Sequence, residues 1–60
     1  MRAVKLLKYD VVLEDGEWVV IRNANGKEAR VPATWVTVKG GVAEAASQTK
    51  QLRLDGADWE

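Results

Sequence analysis

Trp18 and Trp35 fall on strand positions that alternation points away from the core, and Pro32 precedes the second by three residues. Large aromatic side chains left on a surface beside a proline form a shallow apolar trough. Such patches mark recognition sites. Glu14, Asp15 and Glu17 flank Trp18 in sequence. Three carboxylates at one turn can read a cationic group on a ligand, although their commoner role is to solvate a hairpin tip.

Most reaction chemistry is excluded by residue type. The 60-residue chain has no histidine and no cysteine. That removes the commonest general base and metal ligand, the thiolate nucleophile and any disulfide. Ser47 is the only serine, and with no base nearby in sequence it is not an activated nucleophile. The closing "DGADWE" lacks the alternating acidic residues and distant glutamate of a calcium loop. Gly40-Gly41 is a turn or hinge, without the pattern of a phosphate-binding loop. The reading is a non-enzymatic protein that uses no cofactor and no metal.

Charge and length narrow the partners. Nine basic residues balance nine acidic ones, which disfavours a phosphate-seeking surface. No apolar run approaches the ~18 residues of a membrane span. Charged residues interrupt the apolar ones at "MRAVKLLKYD", so no signal peptide is visible. We expect a soluble, cytoplasmic protein without membrane contact. Residues 1–60 form one domain, and a chain this short buries only ~60% of its unfolded surface. A compact β-barrel, an oligomer, or both would meet that shortfall.

The elements that must hold the tryptophans are strands. Residues 3–13, "AVKLLKYDVVL", are rich in β-forming residues. Val4 and Leu6 share one face and Leu7, Tyr9, Val11 and Leu13 the other, so a bulge or bend is expected between Leu6 and Leu7. Asp15-Gly16 signals a tight turn, and Asn25-Gly26 a second hairpin. Between them "WVVIR" (18–22) places Val19 and Ile21 in the core and Trp18, Val20 and Arg22 outside. "KEARV" (27–31) returns with Ala29 and Val31 inward. Pro32 ends that strand, because it cannot donate to a ladder, and its fixed φ starts a single 3₁₀ turn over "PAT". "WVTV" (35–38) resumes with Val36 and Val38 inward. After Gly40-Gly41, "VAEAASQTKQ" (42–51) reads as a short helix or an irregular loop, and "LRL" (52–54) alternates like a final strand.

Residues 17–38, "EWVVIRNANGKEARVPATWVTV", resemble the second half of a Src homology 3 domain. Trp18 stands at the family's first tryptophan, a hairpin follows, and "RVPATWV" takes the place of its "YVPSNYV" segment. Val19, Ala29 and Thr34 stand where the family has a second tryptophan, a glycine and an asparagine. The "ALYDY" motif is absent before residue 3. "QLRLDGAD" (51–58) is similar to the "ELSFKKGD" segment that normally precedes the Trp strand, which suggests a circularly permuted order with residues 42–54 supplying the missing strand and loop. The fold so implied is all-β: a small five-stranded barrel, residues 1–39 as its core and 40–60 as a short helix or loop with a final strand.

What the resemblance implies for function is a groove for proline-rich peptides built from Trp18, Pro32 and Trp35. Tyr9 would stand in for a missing groove tyrosine, and Glu14, Asp15 and Glu17 would read a ligand arginine. The expected function is therefore protein or peptide binding through a Trp/Pro surface. Two other readings stand beside it. One is a homo-oligomeric structural protein that buries its tryptophans between copies. The other is a small nucleic-acid-binding barrel, with Lys5, Lys8, Arg22, Lys27 and Arg30 as its contacts.

Overall fold

Short runs rich in apolar residues, three of them closed by a glycine turn, fold as five antiparallel strands in the computed structural model, which describes residues 6–60. They are β1 (Lys8–Asp15), β2 (Trp18–Arg22), β3 (Glu28–Pro32), β4 (Val36–Lys39) and β5 (Val42–Ala45). A 3₁₀ turn (Ala33–Trp35) links β3 to β4, and one helix, α1 (Gln48–Asp55), follows β5. The sheet order is β3-β2-β1-β5-β4. No helix of the described residues is long and apolar enough to cross a membrane.

The turns follow from glycine chemistry. Asp15 pairs with Trp18 across a two-residue loop in which Gly16 has φ of +58°, the conformation a type II′ loop requires at its first position. Lys39 pairs with Val42 across Gly40 and Gly41, whose φ values are +60° and +77°. A tight hairpin with two left-handed positions excludes β-branched residues there.

Period-two alternation places the core. Tyr9, Val19, Ile21, Ala29, Val31, Val36, Ala43 and Ala45 share the inner face, and Leu54 from α1 is driven into them with no exposed surface. Burying a leucine of this kind contributes about 1.5–3 kcal/mol. The inward set expected from sequence agrees: Val19, Ile21, Ala29, Val31 and Val36 are buried, and Val38 packs against them.

Several expectations need correction. The segment after Gly41 begins as a strand, β5, because alternating Ala43 and Ala45 fit under the helix where larger side chains would not. The helix starts later, at Gln48, where the Ser47 hydroxyl accepts from the Lys50 amide at 3.2 Å and caps its first turn. Residues 52–54 are therefore the end of α1 and not a strand: Leu54 faces the core and Leu52 faces solvent, a helical spacing mistaken for alternation. The irregularity in β1 lies between Val11 and Leu13 instead of Leu6 and Leu7. It turns Leu13 outward, 56% exposed. The sheet is not closed into a barrel, since β3 and β4 are its two edges and only the 3₁₀ turn spans them. Val4 and Lys5 lie outside the described residues.

Candidate functional site

Trp18 and Pro32 are cross-strand partners at the ends of β2 and β3. Their side chains lie side by side on the outer face because the pair occupies one register position. The 3₁₀ turn then swings Trp35 back toward them, and the Ala33 amide fixes that turn by donating to the Glu17 carbonyl at 2.8 Å. The three residues line one groove of about 380 Å³, together with Arg30, Ala57 and Asp58. Trp18 is 40% exposed. Trp35, expected to point outward, is half-buried and packs against the core, because the 3₁₀ turn extends to it.

Two guanidinium groups stand on its tryptophans, and one of them, Arg30, lines the groove. Arg30 stands over the Trp18 ring at 5.0 Å and Arg53 over the Trp35 ring at 6.0 Å. Both distances lie within the range of cation–π attraction. Arg30 faces out from β3 and lines the groove, and Arg53 reaches the Trp35 ring from the last turn of α1. The groove continues along β3 into a second hollow of about 490 Å³, lined by Trp18, Val20, Arg30, Glu28, Asp58 and Glu60.

The other expected site residues lie elsewhere. Tyr9 is buried at 5% exposure. Its hydroxyl accepts from the Gln51 side-chain amide at 2.7 Å and its ring stacks on Trp59 at 5.5 Å. It is a core residue and not a groove residue, as its position on the inward face of β1 dictates. Glu14, Asp15 and Glu17 are exposed at the β1–β2 turn. Asp15 is the cross-strand partner of Trp18, yet none of the three lines the groove. Of the basic residues named as nucleic-acid contacts, Lys5 lies outside the described residues and the others are spread over several elements. Lys8 lies beside Glu44 on the outer face, Lys27 sits at the β2–β3 turn and Arg30 is on Trp18. Arg22 donates to Glu28 at 2.8 and 3.2 Å, and this bond holds the guanidinium pKa above its ordinary value.

Sequence reasoning missed the C-terminal wall. The Trp59 indole N–H donates to the Leu54 carbonyl at 2.8 Å, and Glu60 exchanges two backbone hydrogen bonds with Glu28 on the β3 edge. Asp58 is thereby set into the groove. The only signal was a tryptophan in an otherwise polar tail. Comparison with protein-family models, with curated proteins and with solved structures gives no significant match.

Proposed function

We propose that the chain is a protein-interaction module that binds an extended peptide segment of a partner in the groove formed by Trp18, Pro32 and Trp35. The observation that carries this reading is their convergence. Residues separated by up to seventeen positions line one trough, and an aromatic side chain left 40% exposed there has apolar area to bury. Planar rings with a proline between them suit an extended or polyproline backbone. β5 stands between β1 and β4, but the "QLRLDGAD" stretch that suggested a permuted Src homology 3 order lies largely in α1 and supplies no strand.

The test is a titration with proline-rich peptides, read by the indole N–H resonances of the three tryptophans. Trp18 and Trp35 shift on binding and Trp59 does not. A Trp18→Ala variant retains its fold and loses the response. If no peptide moves either groove indole, the reading fails.

A second reading has its own observation. The β1–β2 hairpin exposes Val12 (43%) and Leu13 (56%) beside Trp18, apolar surface that a second copy could cover. Under that reading the sedimentation coefficient rises with protein concentration in the absence of any ligand, and Leu13→Ser abolishes the rise.

A further inference from the structure

The resemblance to a Src homology 3 domain implies a ligand arginine read by Glu14, Asp15 and Glu17. The aromatic end of the groove is lined by Arg30 and Asp58, with Arg53 on the Trp35 ring beside it. Resting on the groove reading above, we infer that the bound peptide places an acidic side chain against Arg30, at the end of the groove where Arg53 stands on the Trp35 ring, so that the partner is recognised by a carboxylate and not by an arginine.

The charges are arranged as follows. None of Glu14, Asp15 and Glu17 lines the groove. Arg30 and Arg53 stand over the rings of Trp18 and Trp35 at 5.0 and 6.0 Å. Neither forms a salt bridge among the described residues, where the one such pair is Arg22 with Glu28. A guanidinium drawn to an aromatic face by cation–π attraction still has N–H donors to offer a ligand. A carboxylate is the group that such a planar fork accepts in bidentate fashion. Asp58 shares the groove but comes within ion-pair distance of neither arginine.

Carboxylates confine where the ligand's own acid can sit. Arg30 and Asp58 line both parts of the groove, whereas Glu28, which is paired with Arg22, and Glu60 line only its continuation along β3. An acidic ligand residue is repelled there and drawn to the Trp18–Trp35 end. The ligand therefore carries one acidic residue at a set place in an extended segment; a uniformly acidic run would meet repulsion along the rest of the groove.

The β3 edge supports an extended ligand. Ala33 donates to Glu17 and Asn23 to Lys27 across the β2–β3 ladder. Alternation then turns the backbone groups of Glu28, Arg30 and Pro32 to the outer edge. Glu28 is occupied by Glu60. The Arg30 N–H and C=O face the edge with no backbone partner among the described residues.

The experiment uses three capped proline-rich peptides, identical except for one residue that is Glu, Gln or Arg. The expected result is binding of the Glu peptide about tenfold tighter than the Arg peptide, with Gln between them. Such a ratio corresponds to about 1.4 kcal/mol. Arg30→Glu reverses the order, and Arg30→Gln, which keeps the side chain's length, levels it. Tighter binding of the Arg peptide to the unmodified protein overturns the inference and leaves the groove reading standing. A Glu preference that survives both Arg30→Glu and Arg53→Glu overturns it as well. Groove indoles that respond to none of the three peptides sink the groove reading and the inference together. An oligothymidylate strand that shifts those indoles where the Glu peptide does not would assign the arginine pair to phosphate, and overturns the inference.

Discussion

The Gln51 side-chain amide reaches the Tyr9 hydroxyl at 2.7 Å across 42 positions of the chain. The same nitrogen donates to Asp55 at 2.9 Å, and its carbonyl oxygen accepts from the Leu7 backbone amide at 2.9 Å. One buried glutamine, 4% exposed, thus ties α1 to β1 and to the segment leading into it. No buried side-chain polar atom among the described residues lacks a partner. A polar group can be buried on those terms only, because each unmatched one costs its full desolvation.

Gln51→Leu tests that coupling. It leaves the Leu7 amide without an acceptor, and the expected loss is about 1–3 kcal/mol. For a chain of this length total stability is about 3–9 kcal/mol, so the urea midpoint falls markedly. Tyr9→Phe removes one hydrogen bond while Gln51 keeps Asp55, and its cost is about 1 kcal/mol. Equal midpoints for Gln51→Leu and the parent would refute the account.

Trp59→Ala tests how the tail is held. The indole stacks on Tyr9 and donates to the Leu54 carbonyl, so its loss removes partly buried apolar area, an aromatic contact and a hydrogen bond. We expect a loss of about 2–4 kcal/mol. The Glu28 and Glu60 amides, which bond each other's carbonyls at 2.8 and 2.9 Å, then exchange with deuterium faster than the Val19 and Val31 amides in the ladder. Uniform exchange across all four would show that the tail is not a separate unit.

The strands and the inner face were legible in the sequence, because Val19, Ile21, Ala29 and Val31 recur at every second position within their strands, as do Val36 and Val38, and Gly16, Gly26 and Gly40 punctuate the runs. The groove was partly legible. Trp18 and Pro32 meet by hairpin register, which Asn25-Gly26 announces, and Pro32 announces the turn that brings Trp35 back. What local pattern could not give was contact between distant segments. Tyr9 reads as a surface aromatic until Gln51 and Trp59 are seen against it. Arg53 reads as the outward residue of an alternating "LRL" until that stretch is helical. Alanine-rich β5 carries helix propensity in isolation, and a sheet position under Leu54, which admits only small side chains, overrides it.

Trp18 and Trp35 separate binding from stability. Trp18 is 40% exposed, whereas Trp35 packs against the core. Trp18→Ala is expected to cost under about 1 kcal/mol, in the range of surface changes, and to abolish the peptide response. Trp35→Ala is expected to cost about 2–4 kcal/mol, because it also opens a cavity beside the core. Thermal denaturation of the two variants side by side decides the matter. A larger loss of melting temperature for Trp18→Ala would reverse the assignment of roles.

Pro32 raises the question of how a residue with no N–H stands at the end of a strand. Lys27 and Ala33 bond to Asn23 and Glu17, the residues flanking β2, so alternation points the position-32 amide away from the ladder, toward the open edge. The missing donor therefore costs the sheet nothing, and it leaves that edge one group poorer for pairing with another chain. Pro32→Ala keeps every hydrogen bond of the β2–β3 ladder. Its expected cost is about 0.4–1 kcal/mol, through the freer unfolded chain. It also restores a donor to the edge and strips the groove of the ring beside Trp18. The variant should bind peptide more weakly and self-associate more strongly, as light scattering at rising concentration would report. A loss well above 1 kcal/mol, with faster exchange of the Val31 amide, would mean that the proline supports the ladder after all.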